Sequence, residues 1–264
     1  MDKSRLLDRA ASPEDRLTLA RVLDKWEQSR KRNIPAATDF LTPVQRTAAE
    51  DLLRQAGASS DDYLAFGGYD GAERQILLFV PDWMEPEHAE EELPLRYLRA
   101  EYRPEYQLTH RDLLGSLMGL GIVREKVGDL LVSREETDLI VLDSIAEFLT
   151  QNWDTAGRAR LMVTEIRREN LHIPQVQVQE IRDTVATVRL DAVVAAGFRM
   201  SRGKAAALIE SGKVQVNWRE CQKPDRPLAA GDTATARGFG KLELAETGGV
   251  TKKGRIPILI KRYM

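Results

Sequence analysis

The chain lacks most of the residues that carry chemistry in small proteins. Among its 264 residues there is a single cysteine, Cys221, which excludes an internal disulfide and any cysteine-cluster zinc site and fits a reducing cytosol. The three histidines, His88, His110 and His172, stand far apart and have no metal-ligand spacing. Acidic residues are numerous, yet no pair lies in the apolar setting that general acid–base work uses. No apolar run approaches the roughly 20 residues of a membrane span. The first residues, MDKSRLLDRAASPEDR, are too charged for a signal peptide. No low-complexity tract or long repeat interrupts the pattern. What is left is the composition of a soluble intracellular globular protein, 42% hydrophobic and long enough for two domains.

A net charge of −2 conceals a division. Residues 187–264 hold 15 Lys and Arg against 7 Asp and Glu, a net of +8, whereas residues 1–186 hold 24 against 34, a net of −10. A basic segment joined to an acidic one points to a polyanion-binding module attached to something else. Inside the basic segment, residues 200–218 read MSRGKAAALIESGKVQVNW. Ser201 is an N-cap residue, Ala205, Leu208 and Ile209 make one buried helical stripe, and Gly212 is a stop. The period then changes to two, with Val214 and Val216 facing inward and Lys213, Gln215 and Asn217 outward. Arg202 and Lys204 fall in the first turn of that helix, where unpaired N–H groups and the dipole already favour an anion, so phosphate is the expected ligand.

The same grammar organises the rest of the chain. SPEDRLTLARVLDKWEQSRKRN predicts a helix with Ser12 at N-cap, Pro13 at N1 and a stripe of Leu19, Val22, Leu23 and Trp26. TPVQRTAAEDLLRQAG predicts a second, with Thr42 and Gln45 in a capping box and Gly57 at its end. DYLAF, RQILLFV, LRYLRAEYR, KVGDLLVS, TDLIVLD and ARLMVTEI read as strands. THRDLLGSLMGLG and SIAEFLTQNW read as helices, the first with Thr109 as N-cap and Asp112 at N3. Together they suggest a small α+β sheet domain of the RNA-recognition type. Arg96, Arg99 and Arg103 on one strand, and Arg111, offer locally basic spots in this acidic part. VQVQEIRDTVATV continues as a strand or extended linker, RLDAVVAAG is a helix, and GDTATARGFGKLEL and RIPILIKRY are β-like. The expected organisation is α+β throughout: a helical segment over 1–60, the RNA-recognition-like domain over 61–172, a linker strand over 173–186 and a basic domain with a β extension over 187–264.

RLDAVVAAGFRMSRGKAAALIESGKVQVNWRECQKPDRPLAAGDTATAR resembles an S4 RNA-binding domain. The family pattern is supplied by Arg189, Leu190, Asp191, Ser201, Arg202, Ala205, Gly212, Val214, Val216, Asn217, Gly231 and Asp232. The resemblance implies the αL-type S4 fold, two helices on a small sheet, meeting structured RNA. Duplex RNA is read through shape, phosphates and 2′-hydroxyls, so cations and backbone donors suffice. The candidate RNA-binding residues are Arg189, Arg199, Ser201, Arg202, Lys204, Lys213, Asn217, Trp218, Arg219, Lys223, Arg237 and Lys241. Trp218 either stacks on a base or sits in the core or rim, and Asp191 is structural, since an acid repels phosphate.

FGGYDGAER at 66–74, HRDLLGSLMGLGIVREKVGDLLV at 110–132 and RGFGK at 237–241 are similar to the YlmH family of bacterial S4-domain proteins. That resemblance covers most of the chain. It implies a central RNA-recognition-like domain ahead of the S4 domain, association with rRNA and tRNA on the large ribosomal subunit, and a part in handling stalled translation complexes. Gly67, Gly68 and Gly71 suit a tight turn, and Gly119 and Gly121 a helix end, so these motif glycines read as structural. No cofactor, metal or membrane is expected, and the free protein is expected to be a cytoplasmic monomer.

S4 domains also accompany pseudouridine synthases, RNA methyltransferases and tyrosyl-tRNA synthetases. FGGYDGAE lies between two strands rather than between a strand and a helix, so it lacks the context of a nucleotide-cofactor loop. VRLDAV is the S4 helix, AGRARLM lacks the aspartate of a pseudouridine synthase loop, and FRMSRGK has only a passing similarity to a synthetase signature. Cys221 has no histidine base nearby in sequence. The sequence therefore favours a non-catalytic RNA-binding factor, with an S4-domain RNA-modifying enzyme of the pseudouridine synthase or methyltransferase type as the alternative.

Overall fold

A computed structural model describes residues 6–8, 12–174, 177–251 and 253–263. The chain divides into two compact units, 1–174 and 175–264. No helix among the described residues is long and apolar enough to cross a membrane.

In the first unit, α1 (Pro13–Arg32) starts under Ser12, whose Oγ accepts from the Asp15 N–H, and stops at left-handed Asn33. In α2 (Pro43–Gln55) the Thr42 and Gln45 side chains each take the other's backbone N–H. Val22, Leu23 and Trp26 of α1 and Leu52 and Leu53 of α2 bury against Leu77 and Phe79. The latter two belong to an antiparallel sheet in the order β1–β3–β2, made of β1 (Ala36–Ala37), β2 (Tyr63–Phe66) and β3 (Ile76–Phe79). β2 and β3 are the segments that the sequence pattern groups with the central sheet. Their hydrogen bonds go to one another and to β1 instead. β1 leaves no trace in the sequence because two residues carry no period.

The rest of this unit runs β4 (Leu95–Glu101), α3 (His110–Gly119), β5 (Val127–Val132), β6 (Glu136–Leu142) and α4 (Asp143–Asn152). A short hairpin of β7 (Thr155–Ala156) and β8 (Ala159–Arg160) then leads to β9 (Met162–Ile166). The sheet order β5–β6–β4–β9 is that of the split β-α-β-β-α-β fold. Leu98, Ala100, Leu139 and Val141 cover one face and meet Leu113, Leu117 and Leu149 of the helices. Leu95, Ile140 and Leu142 cover the other and meet Phe40, Phe66 and Ile76.

The two long family-like stretches meet at this second interface. Asp129 of β5 accepts from the Tyr69 hydroxyl at 3.0 Å and from the Glu73 and Arg74 N–H groups at 2.7 and 3.1 Å. Arg74 donates back, to the carbonyls of Val127 at 3.1 Å and Phe40 at 3.2 Å. Burial draws its pKa down to about 10, so it stays charged at neutral pH. A Cβ on Gly67 would lie 2.3 Å from the Arg74 carbonyl oxygen, and one on Gly128 would lie 2.8 Å from the Phe40 ring. Gly67 is needed because the β2–β3 turn folds tightly on itself there, and Gly128 because Phe40 of the other layer closes on β5.

The second unit is one antiparallel sheet in the order β10–β15–β14–β13–β11–β12 with two helices on one face. In chain order it runs β10 (Val178–Val185), α5 (Leu190–Gly197), α6 (Arg202–Glu210), β11 (Val214–Val216), β12 (Arg219–Glu220), β13 (Thr233–Ala236), β14 (Gly240–Thr247) and β15 (Ile256–Tyr263). β10 pairs with β15 along its whole length, so the stretch that reads as strand or linker is an edge strand of this sheet. Leu190, Val194, Ala205 and Ile209 of the helices bury against Val214, Val216, Leu242 and Ile260 of the strands. Cys221 is buried in the same core.

Candidate RNA-binding surface

α6 begins as its sequence predicts, with Ser201 Oγ accepting from the Lys204 N–H at 3.3 Å. Arg202 of that first turn is gripped from below. Its Nε and Nη2 donate to the two carboxylate oxygens of Asp191 at 3.0 and 3.3 Å, and Arg189 Nη2 donates to the same group at 3.3 Å. The Asp191 side chain is 7% exposed, those of Arg189 and Arg202 37% and 53%. One buried carboxylate thus aims two half-exposed guanidiniums, which explains an acid in a basic patch. The start of α5 is closed to anions, since the Leu190 and Asp191 N–H groups donate to the Arg226 and Pro224 carbonyls, both at 2.9 Å.

Beside this fork runs a row of two rings with a cation at each end. Lys204 Nζ lies 5.8 Å from the Phe239 ring centre, Phe239 5.7 Å from Phe198, and the Arg262 guanidinium 5.4 Å from Phe198. Phe198 and Arg262 do not stand out in the sequence, and Phe239 does so only within RGFGK, because the three come from separate elements that the folded sheet brings together. Arg199 is exposed in the α5–α6 turn, in the left-handed region at φ 53°.

The remaining candidates are dispersed. Lys213 and Arg237 are exposed neighbours, the Arg237 N–H donating to the Lys213 carbonyl at 2.9 Å. Lys223 is exposed in the loop that closes over α5, and Arg219 is exposed on β12. Asn217 gives its amide to the fold: Nδ2 donates to Asp232 Oδ1 at 2.7 Å, and Oδ1 accepts the Thr233 N–H at 2.9 Å. That tie accounts for Asp232 of the pattern, and Gly231 before it stands in the left-handed region at φ 92°. Trp218 and Lys241 meet each other away from the fork, with Lys241 Nζ 4.9 Å from the Trp218 ring centre.

Family models match the chain over three stretches. "YlmH, N-terminal" covers residues 14–82, "Putative RNA-binding domain in YlmH" covers 89–170, and "S4 domain" covers 188–233. A Bacillus subtilis (strain 168) relative named "Ribosome-associated protein quality control protein P2" is 37% identical over 227 residues, 85% of this chain and 86% of the relative. The chain belongs to the YlmH family. A solved structure titled "Cell division protein ylmH from Streptococcus pneumoniae" aligns at 23% identity and a TM-score of 0.49, over 61% of this chain and 96% of that one; that likeness carries no weight here.

As a YlmH-family protein the chain is an RNA-binding S4-domain protein. Its central domain has the RNA-recognition strand order but not the open sheet. In such folds bases stack on the sheet face away from the helices. Here that face lies under Phe40, Phe66 and Ile76. Arg99 on it donates to Asp138 through Nε and Nη2, both at 2.7 Å, and its side chain is 15% exposed. The basic spot that the sequence suggests is therefore engaged with acids. Arg96 lies 3.5 Å from Glu165, and Arg103, beyond the end of β4, lies 3.7 Å from Glu105. Arg111, on the first turn of α3, is exposed.

Proposed function

We propose that the chain is a non-catalytic factor that engages rRNA and tRNA on the large ribosomal subunit during rescue or quality control of stalled translation complexes. The observation that carries this reading is the Asp191-held pair Arg189 and Arg202, with Lys204 beside it, on a segment of net +8. Guanidiniums oriented by a fixed carboxylate make a phosphate-binding fork, and phosphate contacts position a protein on folded RNA without reading its sequence. The name of the Bacillus relative supplies the ribosomal setting.

Gradient sedimentation tests it. Full-length protein should travel with large subunits, most strongly with subunits that retain a tRNA, and an Arg202→Ala, Lys204→Ala double variant should stay at the top. Wild-type protein at the top in the presence of tRNA-bearing subunits ends the ribosomal reading and leaves only the RNA-binding module. A modification missing from bulk RNA of a deletion strain would instead make the chain an RNA-modifying enzyme.

A further inference from the structure

The β11–β12 hairpin turns through Asn217 and Trp218, whose φ angles are 48° and 65°. Two consecutive left-handed residues make the tight turn whose twist suits a hairpin, and glycine is strongly favoured at its second position. A half-buried tryptophan stands there instead, in a conformation that a bulky side chain holds only when its surroundings enforce it. The enforcement is visible. The Asn217 amide is bonded to Asp232 and Thr233, and the Asn217 N–H donates to the Thr233 carbonyl at 2.9 Å.

The position of the ring follows from strand register. Lys241 alternates with buried Leu242 and pairs across the ladder with Tyr263, so it rises from the sheet face opposite α5 and α6. Its ammonium lies 4.9 Å from the Trp218 ring centre and 5.2 Å from that of Tyr263. The Tyr263 hydroxyl donates to Glu243, which fixes the second ring. Burial first and the Glu243 carboxylate second push this phenol up to about 12, so it remains a neutral donor at any physiological pH. An indole, an ammonium and a phenol therefore share the outer face, while the Arg189–Asp191–Arg202 fork lies on the helix side. Rings beside a cation are the means by which single-stranded nucleic acid is held, since every base has a face to stack and every nucleotide a phosphate to neutralise.

We infer that Trp218, Lys241 and Tyr263 form a second RNA contact, in which an unpaired nucleobase stacks on Trp218 and its phosphate meets Lys241. This deepens the RNA-binding reading above and rests on it. The helix side takes duplex phosphates and the outer face an unpaired nucleotide, so the preferred RNA is a helix with an adjoining single-stranded segment.

Full-length protein and its Trp218→Gly and Trp218→Phe variants test the inference, with a short oligoadenylate and a blunt RNA duplex as probes. Glycine suits the left-handed position, so Trp218→Gly should keep or raise thermal stability while removing the ring. It should weaken oligoadenylate binding about tenfold, abolish the fluorescence quench that stacking produces, and leave duplex binding within about twofold. Trp218→Phe, which retains a stacking face, should recover most of the loss. Unchanged oligoadenylate binding by Trp218→Gly overturns the inference and leaves the duplex reading intact; the outer face then docks something other than RNA. If wild-type protein binds neither probe, the RNA-binding reading fails and this contact with it.

Discussion

Without the carboxylate of Asp191, Arg189 and Arg202 lose the group that aims them. Asp191→Ala should therefore cost about 1–3 kcal/mol of folding stability, the usual penalty for stranding charged hydrogen-bond partners, as read by urea unfolding of the full chain. It should also weaken duplex RNA binding, although it adds one unit of positive charge. A variant that binds RNA more tightly would mean that charge alone, and not orientation, governs the surface. Arg202 and Lys204 were legible in the sequence because helix grammar puts them in a first turn. Asp191 was legible only as an acid out of place, since its burial depends on a fold around it. Alternation along β11 turns Asn217 outward, but the left-handed turn that follows bends its amide back to Asp232 and Thr233. That Phe239 of RGFGK meets Phe198 carried no signal, because no local spacing links the two.

At the scale of elements, caps were the most legible features. Ser12, Thr42, Thr109 and Ser201 all accept from the backbone three residues on, because an N-cap is a short-range device that the chain carries with it wherever it folds. Ser201→Ala should accordingly lower stability by about 1 kcal/mol and weaken RNA binding by fraying the turn that bears Arg202 and Lys204. Wild-type values for both unfolding and affinity would show that this cap holds nothing the fold needs. Strand partners were less legible. β1 and β12 are two residues each, and β10 alternates only weakly, so what they pair with is decided by tertiary register. The double burial of β6 did have a sign: TDLIVLD is a nearly continuous apolar run, the mark of a strand covered on both faces. That mark announces the cover of Phe40, Phe66 and Ile76 on what would otherwise be an open recognition sheet.

At the scale of the molecule, the two units have separate cores and opposite charge. The charge step was legible because net charge needs no fold. Each unit should act on RNA as its charge directs. The 175–264 fragment contains the whole core and every strand partner of its sheet, so it should fold alone. In dilute salt it should bind a mixed-sequence RNA duplex more tightly than the full chain does, because residues 1–174, with 23 Lys and Arg against 32 Asp and Glu, bring a net of −9 that repels any polyanion. That repulsion acts through solvent and is screened over about 10 Å at 0.1 M salt. The phosphate contacts themselves are common to both proteins, and each contributes roughly 0.7–0.9 to the slope of log affinity against log salt. Filter binding over a salt series should thus give two lines that converge as salt rises, with the steeper one belonging to the fragment. Selectivity is the counterpart of this weakened affinity: a chain that repels bulk RNA stays bound only where a second contact adds to the fork. Parallel lines would deny the acidic first unit the role of repelling bulk RNA, and tighter binding by the full chain at every salt would place a further RNA contact in that unit.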